Sequence, residues 1–103
     1  MAEMTRDEIL RLCAEWMFPT WKPSYDAQGN MIVGGYSIYN PFIYDDQCGA
    51  LKKKFHLQDR YDHHAGVWDV SPSDDDEPHV ESADWNTAVC ECVAKIVLAR
   101  KTK

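Results

Sequence analysis

The chain has 103 residues, a net charge of −6 and 45% hydrophobic residues, which predicts one small domain, 1–103, with a compact core. The negative charge argues against nucleic acid as a partner, and no stretch is apolar for long enough to predict a membrane span. Four cysteines fall in segments predicted to be helical, and the N-terminus lacks signal-peptide character. These features predict free buried thiols in a reducing cytoplasm.

The first helix is predicted from Arg6 to Met17. Thr5 and Glu8 have the spacing of a capping box, and the apolar residues that follow recur at helical intervals. Pro19 then ends the helix, because a proline disfavours helical backbone in the residue before it.

A β-hairpin is predicted next, with its turn between Asp26 and Asn30. Gly29 and Asn30 suit such a turn, since both residue types tolerate positive φ. The pair Gly34-Gly35 predicts a bulge or bend in the second arm. The predicted strands of this segment are Trp21–Tyr25, Met31–Val33 and Tyr36–Tyr39.

A second helix and a second β segment follow the Asn40-Pro41 turn. Asp45 or Asp46 is expected to cap a helix from Asp46 to Phe55. The segments predicted after this helix are a polar connection from Leu57 to Gly66, a strand from Val67 to Val70, an acidic loop from Ser71 to Glu77 and a returning strand from Pro78 to Glu81.

The final helix, predicted from Trp85 to Ala99, is apolar at eleven of fifteen positions. Only a narrow stripe through Thr87, Glu91 and Lys95 is polar. Such a helix needs cover on more than one side, from a sheet, a second layer or another subunit, so a homodimer is one expectation. The order α-β-β-α-β-β-α predicts an α+β fold with an antiparallel sheet packed against helices.

Three motifs occur together along the chain. They are the hairpin turn of residues 26–30, the Asn40-Pro41 pair with Asp45-Asp46 at the start of a helix, and an Ala- and Cys-rich final helix. In this combination the chain resembles the phage ABA sandwich domain family of small phage and prophage proteins. The resemblance implies layered helices and sheet and a phage or prophage origin, and it implies no activity. The resemblance carries over four positions, and each has a structural explanation: Asn40 and Pro41 as a turn, and Asp45 and Asp46 as helix caps.

The histidines and cysteines lack the spacings that are typical of metal-binding motifs. Neither C-x-x-C nor H-x-x-x-H occurs, and Cys90 and Cys92 face different sides of one helix. His63-His64 are interpreted as a solvated pair in a loop, with a metal role left open. Since nucleophile and phosphate-loop motifs are also missing, we predict no enzyme activity, catalytic residue, cofactor or metal site.

Binding to another protein is the function that the sequence favours. The acidic run at residues 74–77 is a negatively charged patch that can attract a basic partner. The chain also has more aromatic residues than one small core requires, so some should be exposed and available to a partner. The hypothesis is a non-enzymatic phage accessory protein, a counter-defence or host-takeover factor that binds and inhibits a host protein. The predicted partner-binding residues are Asp74, Asp75, Asp76, Glu77, Trp21, Tyr25, Tyr36 and Tyr39. The alternative for the tyrosines is that they tile a sheet face.

A second hypothesis is a protein that sequesters a nucleotide-like signal. Its phosphate-binding residues would be Lys52, Lys53, Lys54 and Arg100, with aromatic rings stacked on the base. The competing interpretation is that the three lysines complement the negative end of a helix dipole.

Overall fold

A computed structural model of the chain describes residues 4–18, 24–33, 37–73 and 78–101. Within these ranges the elements are α1 (Arg6–Met17), β1 (Ser24–Tyr25), β2 (Met31–Val33), β3 (Ser37–Ile38), α2 (Asp45–Lys54), β4 (Leu57–Asp62), β5 (Val67–Pro72), β6 (Val80–Ser82) and α3 (Trp85–Lys101). The predicted α+β class and the order of helical and antiparallel β segments are confirmed. The two β segments form separate sheets, β1-β2-β3 and β4-β5-β6, and β4 is a strand that the sequence did not predict.

The helix α1 has the bounds and the cap that the sequence predicted. The hydroxyl of Thr5 accepts a hydrogen bond from the N–H of Glu8 at 3.2 Å. Ile9, Cys13 and Ala14 form the buried side of the helix. The predicted role of Pro19 falls outside the described residues.

The turn between β1 and β2 is organised by Asp26. Its carboxylate accepts hydrogen bonds from the N–H groups of Asn30 at 2.8 Å and Gln28 at 3.0 Å. The bond from Asn30 is the main reason that the pKa of Asp26 lies below its usual value. Gly29 has a φ of +85°, in agreement with the positive φ that the turn was predicted to require. The predicted bend at residues 34–35 lies outside the described residues.

The Asn40-Pro41 turn holds the first sheet against α2. The side-chain oxygen of Asn40 accepts from the N–H of Phe42 at 3.2 Å, as in an Asx-turn. Gln47 in α2 accepts from the N–H of Asn40 at 2.6 Å and donates to the carbonyl of Ile38 at 2.8 Å. One amide side chain therefore satisfies two backbone groups at the end of β3.

The start of α2 differs from the prediction. Tyr44 occupies the N-cap position and its side chain makes no capping hydrogen bond, so the expectation that Asp45 or Asp46 caps this helix is wrong. Instead, Asp45 accepts a hydrogen bond from the side-chain amide of Asn86 at 3.1 Å. The carboxylate links α2 to α3, a contact between distant segments that no local pattern reveals.

The second sheet contains a strand where the sequence predicted a polar connection. Residues 57–62 form β4 and pair along the whole of β5, and the turn between the two strands is at residues 63–66. Leu57, Asp59 and Tyr61 share one face of β4, because side chains alternate along a strand. The prediction was wrong because a half-buried carboxylate, Asp59, stands where the strand pattern requires an apolar residue.

The helix α3 lies at the centre of the core. Asp84 caps it by accepting a hydrogen bond from the N–H of Thr87 at 3.0 Å. The helices α1 and α2 and the strands β5 and β6 all pack on α3. Its fully or almost fully buried residues are Ala88, Val89, Cys90, Cys92, Val93, Ala94, Ile96 and Val97.

The cover that α3 requires is supplied by the same chain. Lys95 is exposed and Thr87 and Glu91 are half-buried, so the predicted polar stripe is confirmed. The apolar remainder is enclosed, apart from the half-buried Trp85 at the start of the helix and Leu98 and Ala99 near its end. The apolar surface on which the homodimer expectation rested is therefore buried within the chain and no longer supports a second subunit.

Candidate functional site

Asp59 on β4 joins three elements of the fold. Its carboxylate lies 3.0 Å from the ammonium of Lys52 in α2 and accepts a hydrogen bond from the indole N–H of Trp85 in α3 at 2.7 Å. Partial burial works to raise the pKa of Asp59, but the bonds from Lys52 and Trp85 outweigh it and hold the pKa below its usual value. The carboxylate thus fixes the Trp85 ring against the edge of the second sheet.

A row of aromatic side chains extends from Trp85 across this face to the hairpin turn. The aromatic row consists of Trp85, Trp68, Tyr61 and His63. Successive ring centroids are 6.5, 5.3 and 4.9 Å apart, with interplanar angles of 60°, 59° and 81°. Tilted and edge-to-face contacts at these distances are favourable for aromatic pairs, so the rings hold one another in place.

The aromatic row is partly open to solvent. Tyr61 is 40% exposed, Trp68 and Trp85 are half-buried, and His63 is exposed in the turn. Tyr61 and Trp68 are directly opposite across β4 and β5. The row is therefore a rigid apolar surface with polar N–H and O–H groups, which is the composition of residues that anchor protein interfaces.

The opposite face of the same sheet is polar. The register places Arg60, Asp69 and Glu81 in one row across the three strands. His79 lies on the same face, with its Nε2 2.5 Å from Asp69 and 3.7 Å from Glu81. A groove of about 320 Å³ lies beside this row, lined by Arg60, Tyr61, Asp62, His63, His64, Val67, Asp69 and Glu81.

The His63-His64 pair is in the β4–β5 turn. Both side chains are exposed, in agreement with the interpretation as a solvated loop pair. The N–H of His64 donates to the carboxylate of Asp62 at 2.9 Å, and the ring of His63 contacts Tyr61. The described metal-ligating groups that converge are instead Asp69, His79 and Glu81, each with one ligand atom within 4.8 Å of the other two.

All four thiols are free and buried, as predicted. Cys13 donates to the carbonyl of Cys90 at 3.6 Å, and Cys92, on another side of α3, donates to the carbonyl of Pro78 at 3.6 Å. A hydrogen bond with Cys90 and burial raise the pKa of the Cys48 thiol, and burial raises that of Cys92 to about 11. Thiols with raised pKa values are poor nucleophiles at neutral pH.

The structure separates the predicted partner-binding residues. Tyr25 is 54% exposed on β1 and is accessible to a partner. Tyr39 is 2% exposed, its ring packs on Phe18 at 5.2 Å, and its assignment to a binding surface is wrong. Tyr39 directly follows β3 and belongs to the hydrophobic core, where its hydroxyl lacks a hydrogen-bond partner among the described residues. The remaining predicted residues, Asp74, Asp75, Asp76, Glu77, Trp21 and Tyr36, lie outside the described residues.

The predicted phosphate-binding residues have other contacts. Lys52 is paired with Asp59, while Lys53 and Lys54 are exposed in the last turn of α2, where the helix dipole is negative. The guanidinium of Arg100 lies 4.9 Å from the centroid of Trp16 and 5.6 Å from that of Phe55. These contacts favour the structural interpretation of the four cations over the nucleotide hypothesis.

No local sequence pattern predicts the aromatic row. Its residues belong to a segment predicted as a connection, to a predicted strand and to a predicted helix, so no local pattern joined them. The signal that could have found them is the alternation of Leu57, Asp59 and Tyr61, read together with that of Trp68 and Val70 on the paired strand.

Comparison of the chain with protein-family models, with curated proteins and with solved structures gave no match. The resemblance to the phage ABA sandwich domain family therefore stays a prediction. In the part of the chain that the structure describes, every helix is too short or too polar to cross a membrane.

Proposed function

We propose that this chain is a small, non-enzymatic phage or prophage accessory protein that binds and inhibits a host protein in the bacterial cytoplasm. The observation that carries the proposal is the aromatic row, a partly exposed and rigid group of rings on the second sheet. The phage origin rests on the family resemblance. The non-enzymatic character is supported by the thiols: all four are buried, and the pKa values of Cys48, Cys90 and Cys92 are raised.

The aromatic row suits binding because its geometry is established before a partner arrives. Trp85 is held by its hydrogen bond to Asp59, and Trp68 packs between Trp85 and Tyr61. A partner that covers these rings buries apolar area without having to order flexible side chains. Pre-organisation of this kind lowers the entropic cost of association.

The acidic segment 74–77 is proposed to contribute separately, through long-range attraction. Its described neighbours, Ser73 and Pro78, adjoin the end of β5 and the start of β6, whereas the β4–β5 turn is at the other end of the sheet. Charge at the rim of an interface mainly changes the association rate and its salt dependence, while buried aromatic anchors mainly change dissociation. The two contributions can therefore be measured independently.

The test is capture of a host protein from bacterial lysate by the tagged chain at low and at moderate salt, with identification by mass spectrometry. We expect one dominant host protein. Tyr61→Ala should weaken its affinity by about 2 kcal/mol, roughly thirty-fold, if Tyr61 anchors the interface. Replacing Asp74, Asp75, Asp76 and Glu77 with Ser should reduce the salt dependence more than the affinity at moderate salt.

The matched control for Tyr61 is Tyr44→Ala. The two tyrosines are 40% and 42% exposed, so both variants should fold, and Tyr44 is outside the aromatic row. Equal affinity in the two variants would remove the aromatic row from the proposal. The absence of any captured protein above a beads-only control, with a folded wild-type chain, would overturn the proposed function itself.

A further inference from the structure

Three side chains that the proposed function does not use lie close together on the polar face of the second sheet. Asp69 on β5 is directly opposite Glu81 on β6. His79 precedes Glu81 by two residues and therefore lies on the same face of the sheet. A one-residue slip of either strand would separate these side chains, so their convergence depends on the register of the sheet.

The distances fit a metal ion after small movements. The Nε2 of His79 is 2.5 Å from Asp69 and 3.7 Å from Glu81, and all three ligand atoms lie within 4.8 Å of one another. A tetrahedral zinc ion with bonds of about 2.1 Å requires ligand atoms about 3.4 Å apart. Asp69 and His79 must separate by about an ångström, and their side chains are free to do so because they are 29% and 43% exposed.

We propose that Asp69, His79 and Glu81 form a binding site for a divalent cation of the zinc class. One imidazole and two carboxylates are a ligand set that zinc and similar borderline ions accept, whereas calcium and magnesium prefer oxygen ligands alone. Water occupies the remaining position or positions, so the ion faces the adjoining groove. The Nε2 of His79, which contacts Asp69 in the metal-free chain, would bind the ion directly.

The neighbours of this triad make the assignment specific. Arg60 is opposite Asp69 across β4 and β5, so its positive charge opposes a cation at the triad. Removing this charge with Arg60→Gln should tighten cation binding, an effect that is not expected if the buried thiols bind the ion. The His63-His64 pair lies in the turn beside the same groove and supplies the obvious competing imidazoles.

The experiment uses the full chain, reduced and folded, titrated with Zn²⁺ by calorimetry and with Co²⁺ by visible absorption. We expect one ion per chain. His79→Gln and Asp69→Asn should each weaken binding on the order of ten-fold or more, since even changes to residues that only orient ligands cost this much. The control variant, His63→Gln with His64→Gln, should bind as the wild type does.

The Co²⁺ spectrum distinguishes the triad from the thiols. Nitrogen and oxygen ligands give d–d bands without a sulfur-to-cobalt charge-transfer band, which is the result that supports the proposal. A charge-transfer band would show that the cysteines bind the ion and would overturn it. Loss of binding in the His63/His64 variant, or no saturable binding at all, would overturn it as well. Outcomes at Asp69, His79 and Glu81 leave the proposed function untouched, because Tyr61 and Trp68 lie on the opposite face of the sheet. Only an ion bound at His63 would involve a member of the aromatic row.

Discussion

At the scale of single residues, Asp59 connects three elements of the fold, α2, β4 and α3. It is a carboxylate in a strand, half-buried beneath the start of α3, and it is stabilised by Lys52 and Trp85. Leaving a partly buried indole N–H and an ammonium without their acceptor costs free energy, because neither group recovers full hydration. Asp59 therefore ties β4 to α2 and α3 and holds Trp85 in the aromatic row.

Asp59→Ala should lower the free energy of unfolding by about 2 kcal/mol at neutral pH. Asp59→Asn should cost less, because an amide oxygen can still accept from the indole. Urea denaturation followed by Trp fluorescence measures both effects. Lys52→Met should reproduce the loss of the ion pair, whereas Lys53→Met, at an exposed neighbouring position, should be close to neutral.

The pH dependence of Asp59 has a definite sign. Its pKa is lowered in the folded chain, so the stabilisation is present above the unfolded pKa near about 4 and is lost as pH falls through the folded pKa. The difference in stability between wild type and Asp59→Asn should therefore shrink as the solution is acidified below about pH 4. A difference that stays constant with pH would contradict the assigned ion pair.

Tyr39 shows why residue type alone is a poor guide to surface residues. Its position in an aromatic-rich segment suggested a binding role, but the ring is enclosed by Phe18 and by the core. Burial raises the pKa of its hydroxyl. Tyr39 follows a strand of only two residues, and so short a strand has too little alternation to indicate which side chains are buried.

Among the secondary-structure elements, α2 ends with an unusual residue. Phe55 is its C-cap, and His56 follows with a φ of +52°, in the left-handed region. A helix commonly ends on such a residue, and glycine is the usual choice because it lacks a Cβ. The N–H of His56 donates to the carbonyl of Lys53 at 3.3 Å, so the left-handed backbone also satisfies a group at the end of the helix.

His56→Gly should raise the free energy of unfolding by about 1 kcal/mol, because it removes the penalty of a left-handed Cβ. His56→Ala is the matched control, since it removes the imidazole but keeps the Cβ, and it should give no gain. Thermal or urea denaturation of the two variants measures the difference. Equal stability of the Gly and Ala variants would show that the strain is absent in solution.

For the whole molecule, the burial of all four thiols provides a probe of cooperativity. Cys13, Cys48 and Cys90 come from three different helices and belong to one hydrophobic core, together with Cys92. A reagent can reach them only if this core opens. The pKa of Cys92 is raised to about 11, which further slows its reaction at neutral pH.

The folded chain should therefore leave all four thiols unreacted with an aromatic disulfide reagent at pH 8, and the denatured chain should expose all four. At intermediate urea, the reactive fraction should follow the unfolding transition measured by fluorescence. One or two thiols that react early under native conditions would show that part of the core opens locally.

Several features could be predicted from the sequence because their causes are local. The capping of α1 by Thr5, the turn at Asp26 and Gly29, and the polar stripe of α3 each depend on residues within a few positions of one another. The α+β class follows from the order of such segments. The strand β4 and the aromatic row could not be predicted in the same way, because a polar residue interrupts the pattern and its partners are distant in sequence.

By itself, the sequence determined the presence of three helices and the bounds of α1, the first hairpin, the burial of the thiols and the α+β class, since these depend on short-range periodicity, capping and turn chemistry. Only the tertiary structure decided that the chain covers α3 by itself, that Asp59 joins three elements, that Tyr39 is buried, and that the second sheet has an aromatic face and an Asp69, His79 and Glu81 face. The physical reason is that these features arise from contacts between distant segments. Strand register and helix packing create such contacts, and neither is written in the neighbouring residues.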